Sequence, residues 1–228
     1  KNLDEFALDG VKNEDRLDNV DGQFTVEDIE SLNKERSDAE QENYETRIVK
    51  ALLELNERGS EFLNPKALET YSPKFLNMLE NILDPEFSGS HLIYSQFRTL
   101  EGIGIFTLVL RANGFAEFKI KKDENGQWII DISEEDMSKP KFALYTGTES
   151  AEEKKIIINI FNSTWKYIPS TLLPDLEKMN ENNFMGEIIK VFMITASGAE
   201  GITLKNVRHV HITEPYWHPV RTQQVIGR

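Results

Sequence analysis

The sequence predicts an α/β fold: a mostly parallel sheet with helices on both faces, an inserted β-hairpin, and an acidic, partly helical segment ahead of it. Three observations carry this. From residue 72 onward the order reads helix, strand, helix, hairpin, strand, helix, strand, strand, helix. Such alternation favours a parallel sheet covered on both sides. Asn125-Gly126, between two strand-like runs, is the strongest short hairpin signal. Residues 191–228 then read as strand, small-residue loop, strand and helix.

The chain has 228 residues, enough for one large domain or one domain plus an appendage. At 39% hydrophobic it can bury a core. No run of 18 apolar residues predicts a membrane span, and no charged-then-apolar stretch among the first residues of this sequence suggests a secretion signal. Residue 1 is Lys, which reads as a fragment edge or a processed end. The absence of cysteine excludes disulfides and thiolate metal sites and fits a reducing, intracellular location, cytoplasm or nucleus. Net charge is −13, the wrong sign for a general nucleic-acid binder. The charge is uneven, however. Residues 1–70 hold 9 Lys and Arg against 19 Asp and Glu, and residues 71–228 hold 17 against 20.

Residues 1–43 are acidic and polar without sustained period, and read as a mobile or loosely packed surface segment. Residues 45–58 predict a helix with Ile48, Val49, Leu52, Leu53 and Leu55 on one stripe and Gly59 as its stop. Ser72 and Pro73 open the next helix as N-cap and first turn, with Phe75, Leu76, Leu79, Ile82 and Leu83 inward. Residues 91–97 read as a buried strand and 99–113 as a helix ended by Gly114. Gly102 and Gly104 inside that helix weaken it but permit close packing. Residues 115–120 and 128–132 form the hairpin, and 142–145 a further strand. Ser150 and Glu153 make a capping box for a helix with Ile156, Ile157, Ile160 and Phe161 inward. Residues 162–187, with Pro169 and Pro174, read as irregular. Residues 191–195 and 210–213 are strands. Pro219 suits the first turn of the last helix, on which Gln224 and Arg228 share a face. Ligands of such sheets gather at the carboxyl ends of strands, where residues 95–97, 146–148, 196–201 and Glu214 fall.

The loop at 196–201 has almost no side-chain bulk, so its backbone can approach a phosphate closely. Taken in order, residues 197–204 (SGAEGITL), 214–219 (EPYWHP) and 224–228 (QVIGR) resemble motifs V and VI of superfamily 2 helicases and translocases. The Trp-His-Pro spacing is most similar to the Swi/Snf-like branch, and the wording resembles helicases of large DNA viruses. Upstream, Ser72-Pro73-Lys74 with residues 92–97 (LIYSQF) resembles the entry and motif IV. Residues 145–148 (YTGT), with Glu152, Glu153 and Phe161, resemble motif IVa. The resemblance covers 72–228. It implies a three-layer RecA-like domain over 66–228, the second of a helicase motor and cut within motif VI, behind an acidic segment over 1–65.

The resemblance also implies roles. Arg228 reaches the γ-phosphate of ATP and, with Gln224, serves catalysis; Gly201, Gly227 and Arg228 contact the nucleotide. Ser95, Gln96, Thr146, Gly147, Thr148, Thr195, Ser197 and Gly198 contact the nucleic-acid backbone. A guanidinium suits the first task because it is planar, permanently charged and bidentate toward phosphate. Spacing alone favours an ordinary polar helix face at a chain end, and only the surrounding motifs reverse this; the glycine loop also fits a tight turn without ligand. Glu200 departs from the neutral or basic residue of many relatives. Trp217 packs under the helix or stacks on a base. His209 and His211 share one strand face, but Glu214 has the opposite parity, so no metal site is expected, and His218 reads as a cap or surface residue. The chain contains no Gly-x-x-x-x-Gly-Lys-Ser/Thr loop and no strand-borne acidic pair for magnesium.

The implied partners are therefore ATP with Mg2+ held by a first RecA-like domain of the same chain, and a nucleic acid, DNA rather than RNA, with no membrane. A viral origin would add a viral factory or virion to the locations. This segment alone is expected to be inactive. Two readings stand: the C-terminal motor domain of an ATP-dependent helicase or duplex translocase, or a catalytically inert helicase-like binding or scaffold module.

Overall fold

The computed structural model describes residues 44–98, 102–146, 149–195, 201–214 and 219–227. The segment over 1–43 lies outside them. The chain divides into two compact units, Lys1–Glu57 and Arg58–Arg228. In the first, helix α1 spans Tyr44–Glu57, where the apolar stripe predicts it.

The second unit opens with three helices: α2 (Gly59–Phe62), α3 (Pro65–Tyr71) and α4 (Pro73–Leu83). Gly59 is no helix stop. It starts α2, and a Cβ there would lie 3.5 Å from that of Ala112. Pro73 occupies the first turn of α4 as expected, although the Ser72 side chain makes no capping hydrogen bond. Strand β1 (Ser90–Ser95) and helix α5 (Ile103–Ala112) follow. Helix α5 is shorter than 99–113, residues 99–101 lie outside the described set, and Gly102 is its N-cap rather than an interior residue.

The main sheet has the order β2-β5-β6-β1-β7, with β2 at Ala116–Glu117, β5 at Lys141–Tyr145, β6 at Val191–Thr195 and β7 at Val207–Ile212. All four of its pairings are parallel. Strands β1 and β6 are buried along their whole length, which is why residues 92–94 and 191–194 are consecutively apolar rather than alternating. Helix α6 (Ala151–Phe161) caps its N-terminus with Ser150, whose hydroxyl accepts the Glu153 N–H at 3.1 Å. Its Ile156, Ile157, Ile160 and Phe161 pack with Leu92, Tyr94, Ala143, Phe192 and Ile194 of the sheet. Side chains alternate across a strand, so Ile93 and Met193 turn to the opposite face, where α5 lies against β6 and Phe75 of α4 meets Phe106 of α5 at 5.3 Å. Each fully buried Ile or Leu in these layers contributes about 1.5–3 kcal/mol. The result is a three-layer α/β domain of RecA-like form.

Two further expectations need correction. The stretch 115–120 is not one hairpin strand. Ala116 and Glu117 join the edge of the parallel sheet, and only β3 (Ile120–Lys122) pairs with β4 (Trp128–Ile130) in the inserted antiparallel hairpin. Its turn is held by the Asp123 side chain, which accepts the N–H groups of Asn125 and Gln127, and Gly126 supplies the required φ of +74°. Second, residues 162–187 are not wholly irregular. They hold a 3-10 turn at Trp165–Tyr167 and helix α7 (Leu173–Met179), with Pro174 in its first turn rather than as a breaker. Helix α8 (Pro219–Ile226) closes the described chain. Among the described residues no helix is long and apolar enough to cross a membrane.

Candidate functional site

Because the strands run parallel, their carboxyl ends share one edge of the sheet. The register aligns Ser95 with Thr195, Tyr94 with Ile212, and Tyr145 with Ile194. Thr146, Thr195, Ser95 and Thr213 therefore form a row of hydroxyl residues across four adjacent strands, about 14 Å long at a strand spacing of about 4.8 Å. All four are buried. Ser95, Thr146 and Thr195 were singled out in the sequence; Thr213 was not. Its Oγ1 is the one buried side-chain oxygen among the described residues without a hydrogen-bond partner.

Two carboxylates organise this edge. Glu214, just past β7, accepts the Ser95 hydroxyl at 2.9 Å and the Gln96 backbone N–H at 2.9 Å. Lys74 of α4 stands 3.8 Å away. The Ser95 Oγ in turn accepts the Phe97 N–H at 3.0 Å. Glu149 does the same for the loop after β5, taking the Thr146 N–H and hydroxyl, each at 2.9 Å, with Lys154 at 4.0 Å. The hydroxyls of Ser95 and Thr146 are thus engaged inside the domain. Sequence reasoning placed Glu214 at this edge but gave it no contact, and it passed over Glu149. A possible signal was an acidic residue three positions after a strand-terminal Thr.

Gly102 fits closely over this loop. A Cβ there would lie 2.1 Å from both the Phe97 carbonyl oxygen and the Ser95 Oγ. Gly201 has φ +73°, and among the described residues no atom would lie within 4 Å of a Cβ there, so its need for glycine is conformational. From Gly201 the chain enters the core through Ile202 and Leu204, which join the same apolar cluster as Val225 of α8. Asn162 holds the segment between them, donating to the Thr203 carbonyl at 2.9 Å and accepting the Lys205 N–H at 2.7 Å. Val225 is buried while Gln224 is exposed, so α8 is anchored on one side and presents Gln224 on the other. Gly227 lies in the turn after α8. Gly147, Thr148, Ser197, Gly198, Trp217, His218 and Arg228 lie outside the described residues.

A second polar cluster lies toward the other end of the sheet. His91 of β1 stacks between His209 and His211 of β7, with ring centroids at 4.6 and 5.2 Å. His91 Nε2 faces the Phe87 carbonyl at 3.2 Å, so it carries the proton, and Nδ1 accepts from His211 Nε2 at 3.0 Å. Burial, then the neighbouring His211, His209 and Lys190, lower the His91 pKa from 6.5 to about 3. Burial and His209 also lower that of His211. Among the described residues no group of three or more His, Asp or Glu side chains is arranged to hold a metal ion.

The model of the helicase conserved C-terminal domain matches residues 75–228. Two proteins of Acanthamoeba polyphaga mimivirus, each named as a candidate ATP-dependent RNA helicase, are similar. One is 32% identical over 61% of this chain and 13% of its own length, the other 29% identical over 76% and 24%. An African swine fever virus protein named as a termination factor NPH-I homologue is 30% identical over 70% of this chain and 23% of its own length. The chain thus spans about a quarter or less of the curated relatives it matches. No solved structure matches it.

Proposed function

Because the chain belongs to the family of helicase conserved C-terminal domains, we propose that it is the second motor domain of a nucleic-acid-stimulated ATPase, of the Swi/Snf-like kind that moves along a duplex. The observation that carries the reading is the common edge on which Ser95, Gln96, Thr146, Thr195 and Glu214 end four parallel strands. This is where α/β sheets bind ligands. Gln96 and the loops after β5 and β6 meet the nucleic-acid backbone there. Ser95 and Thr146 serve by holding their loops, since their hydroxyls are committed to Glu214 and Glu149.

The nucleotide side lies at α8. Buried Val225 fixes the helix, Gln224 projects from it toward ATP or the attacking water, and Arg228 follows four residues on. Gly201 and Gly227 let the backbone pass close to the nucleotide. Mg2+ and the β- and γ-phosphates are held by the first RecA-like domain. The Arg228 guanidinium stabilises the charge that develops on the transferred phosphoryl group.

The test is ATP hydrolysis by the full-length protein containing this chain, with and without duplex DNA or RNA. Arg228→Ala should lower stimulated turnover by about 10³-fold or more while ATP binding persists. Ordinary turnover in that variant refutes the arginine assignment, and stimulation by RNA alone overturns the expectation of DNA. No nucleic-acid-stimulated hydrolysis by the unaltered protein favours the inert module instead.

A further inference from the structure

We infer that Glu214 is a positioning residue for the nucleic-acid edge, a strut that sets the loop after β1 without touching the ligand. This rests on the reading of that edge given above. An acidic side chain beside a phosphate track is unfavourable unless its charge is consumed within the protein. The Glu214 carboxylate is only 16% exposed. Its oxygens take the Ser95 hydroxyl, the Gln96 N–H and the field of Lys74, and hydrogen bonds to a charged acceptor are among the stronger ones in proteins.

The contacts form a chain. Glu214 holds Ser95 Oγ, Ser95 Oγ holds the Phe97 N–H, and the Phe97 carbonyl accepts the N–H of Ile103, the first residue of α5. One carboxylate at the end of β7 therefore holds residues 95–97 and, through the Phe97 carbonyl, the first residue of α5. Glu149 makes the corresponding arrangement after β5, so the edge is shaped twice in the same way.

Two measurements test the strut. In the 228-residue chain, hydrogen exchange at the Gln96 and Phe97 amides should accelerate at least about tenfold in Glu214→Ala, the equivalent of losing one charged hydrogen bond. Glu214→Gln keeps an acceptor oxygen and should restore most of the protection. Unchanged exchange in Glu214→Ala overturns the inference. In the full-length protein, Glu214→Ala should raise the half-saturating nucleic-acid concentration about tenfold and leave the KM for ATP unchanged, with partial rescue by Gln. A purely structural role would lower the melting temperature without this split between the two ligands. Tighter nucleic-acid binding in Glu214→Ala, as expected of a carboxylate that merely blocks a phosphate pocket, also overturns it. Absence of nucleic-acid stimulation in the unaltered protein counts against the motor reading alone, and the exchange measurement still decides the strut.

Discussion

The three stacked histidines make the domain sensitive to acid in a calculable way. His91 is fully buried, and its pKa falls from 6.5 to about 3 through burial and the neighbouring His211, His209 and Lys190. Between these values the unfolded chain binds a proton that the folded chain refuses. The stabilising contribution is therefore complete above pH 6.5 and is lost progressively as the pH falls toward 3. At pH 5 the full linkage is about 2 kcal/mol, and the expected loss is about 1–2 kcal/mol. His211, also lowered by burial, acts in the same direction. For a domain of this size that corresponds to a fall in Tm of about 2–8 °C. Urea unfolding followed by tryptophan fluorescence at pH 7, 6 and 5 measures it. His91→Gln removes the main titrating group, so its stability should change over this range by less than half as much as that of the unaltered chain, whatever its stability at pH 7. Equal stability at pH 5 and 7 in the unaltered chain, or an equal loss in the variant, refutes the reasoning.

Two further perturbations probe the packing. Gly102→Ala drives a methyl group to 2.1 Å from the Phe97 carbonyl and the Ser95 hydroxyl and should cost about 1–3 kcal/mol. Gly59→Ala, whose nearest neighbour would stand at 3.5 Å, should stay within about 0.5 kcal/mol; comparable losses in the two, by thermal unfolding, would contradict the contact argument. Asn183→Ala strands the Ile188 and Ile189 N–H groups that its Oδ1 accepts, and the Phe161 carbonyl that its Nδ2 reaches. A loss of about 3 kcal/mol or more is expected, and chemical denaturation showing less than about 1 kcal/mol would mean that water satisfies those groups.

What the sequence makes legible here is local. The capping residue Ser150, the Asn-Gly turn, the buried strands and the helix-opening prolines at 73 and 219 each act through neighbours within a few positions, and each appears where its chemistry predicts. Long-range pairing was not legible. Nothing within 115–120 announces that Ala116 and Glu117 pair with Lys141 and Phe142 while Ile120 pairs with Ile130. Glycine proved ambiguous for the same reason: Gly59 lies close to Ala112 and Gly102 to Ser95 and Phe97, neighbours that only the fold supplies. At the site, the strand-end hydroxyls could be named from the sequence. The capture of Ser95 by Glu214 could not, since only the sheet order brings Glu214 beside Ser95, 119 positions away.

The strand order also bears on how the chain reaches its fold during synthesis. Strand β1 lies between β6 and β7, so it has no partner until the far end of the chain exists. Ser90 bonds the Asn206 carbonyl across 116 positions, and His91 meets His211 across 120. Closing such distant contacts slows folding. Until β6 and β7 leave the ribosome, the apolar run of β1 is a nascent strand with two open edges, the condition under which chains misassociate. A truncation ahead of residue 191 would take away both partners of β1 and therefore remove more than the glycine-rich and arginine-bearing motifs. It would leave the middle of the sheet unfinished, so loss of activity in such a fragment would report failed assembly as much as lost chemistry.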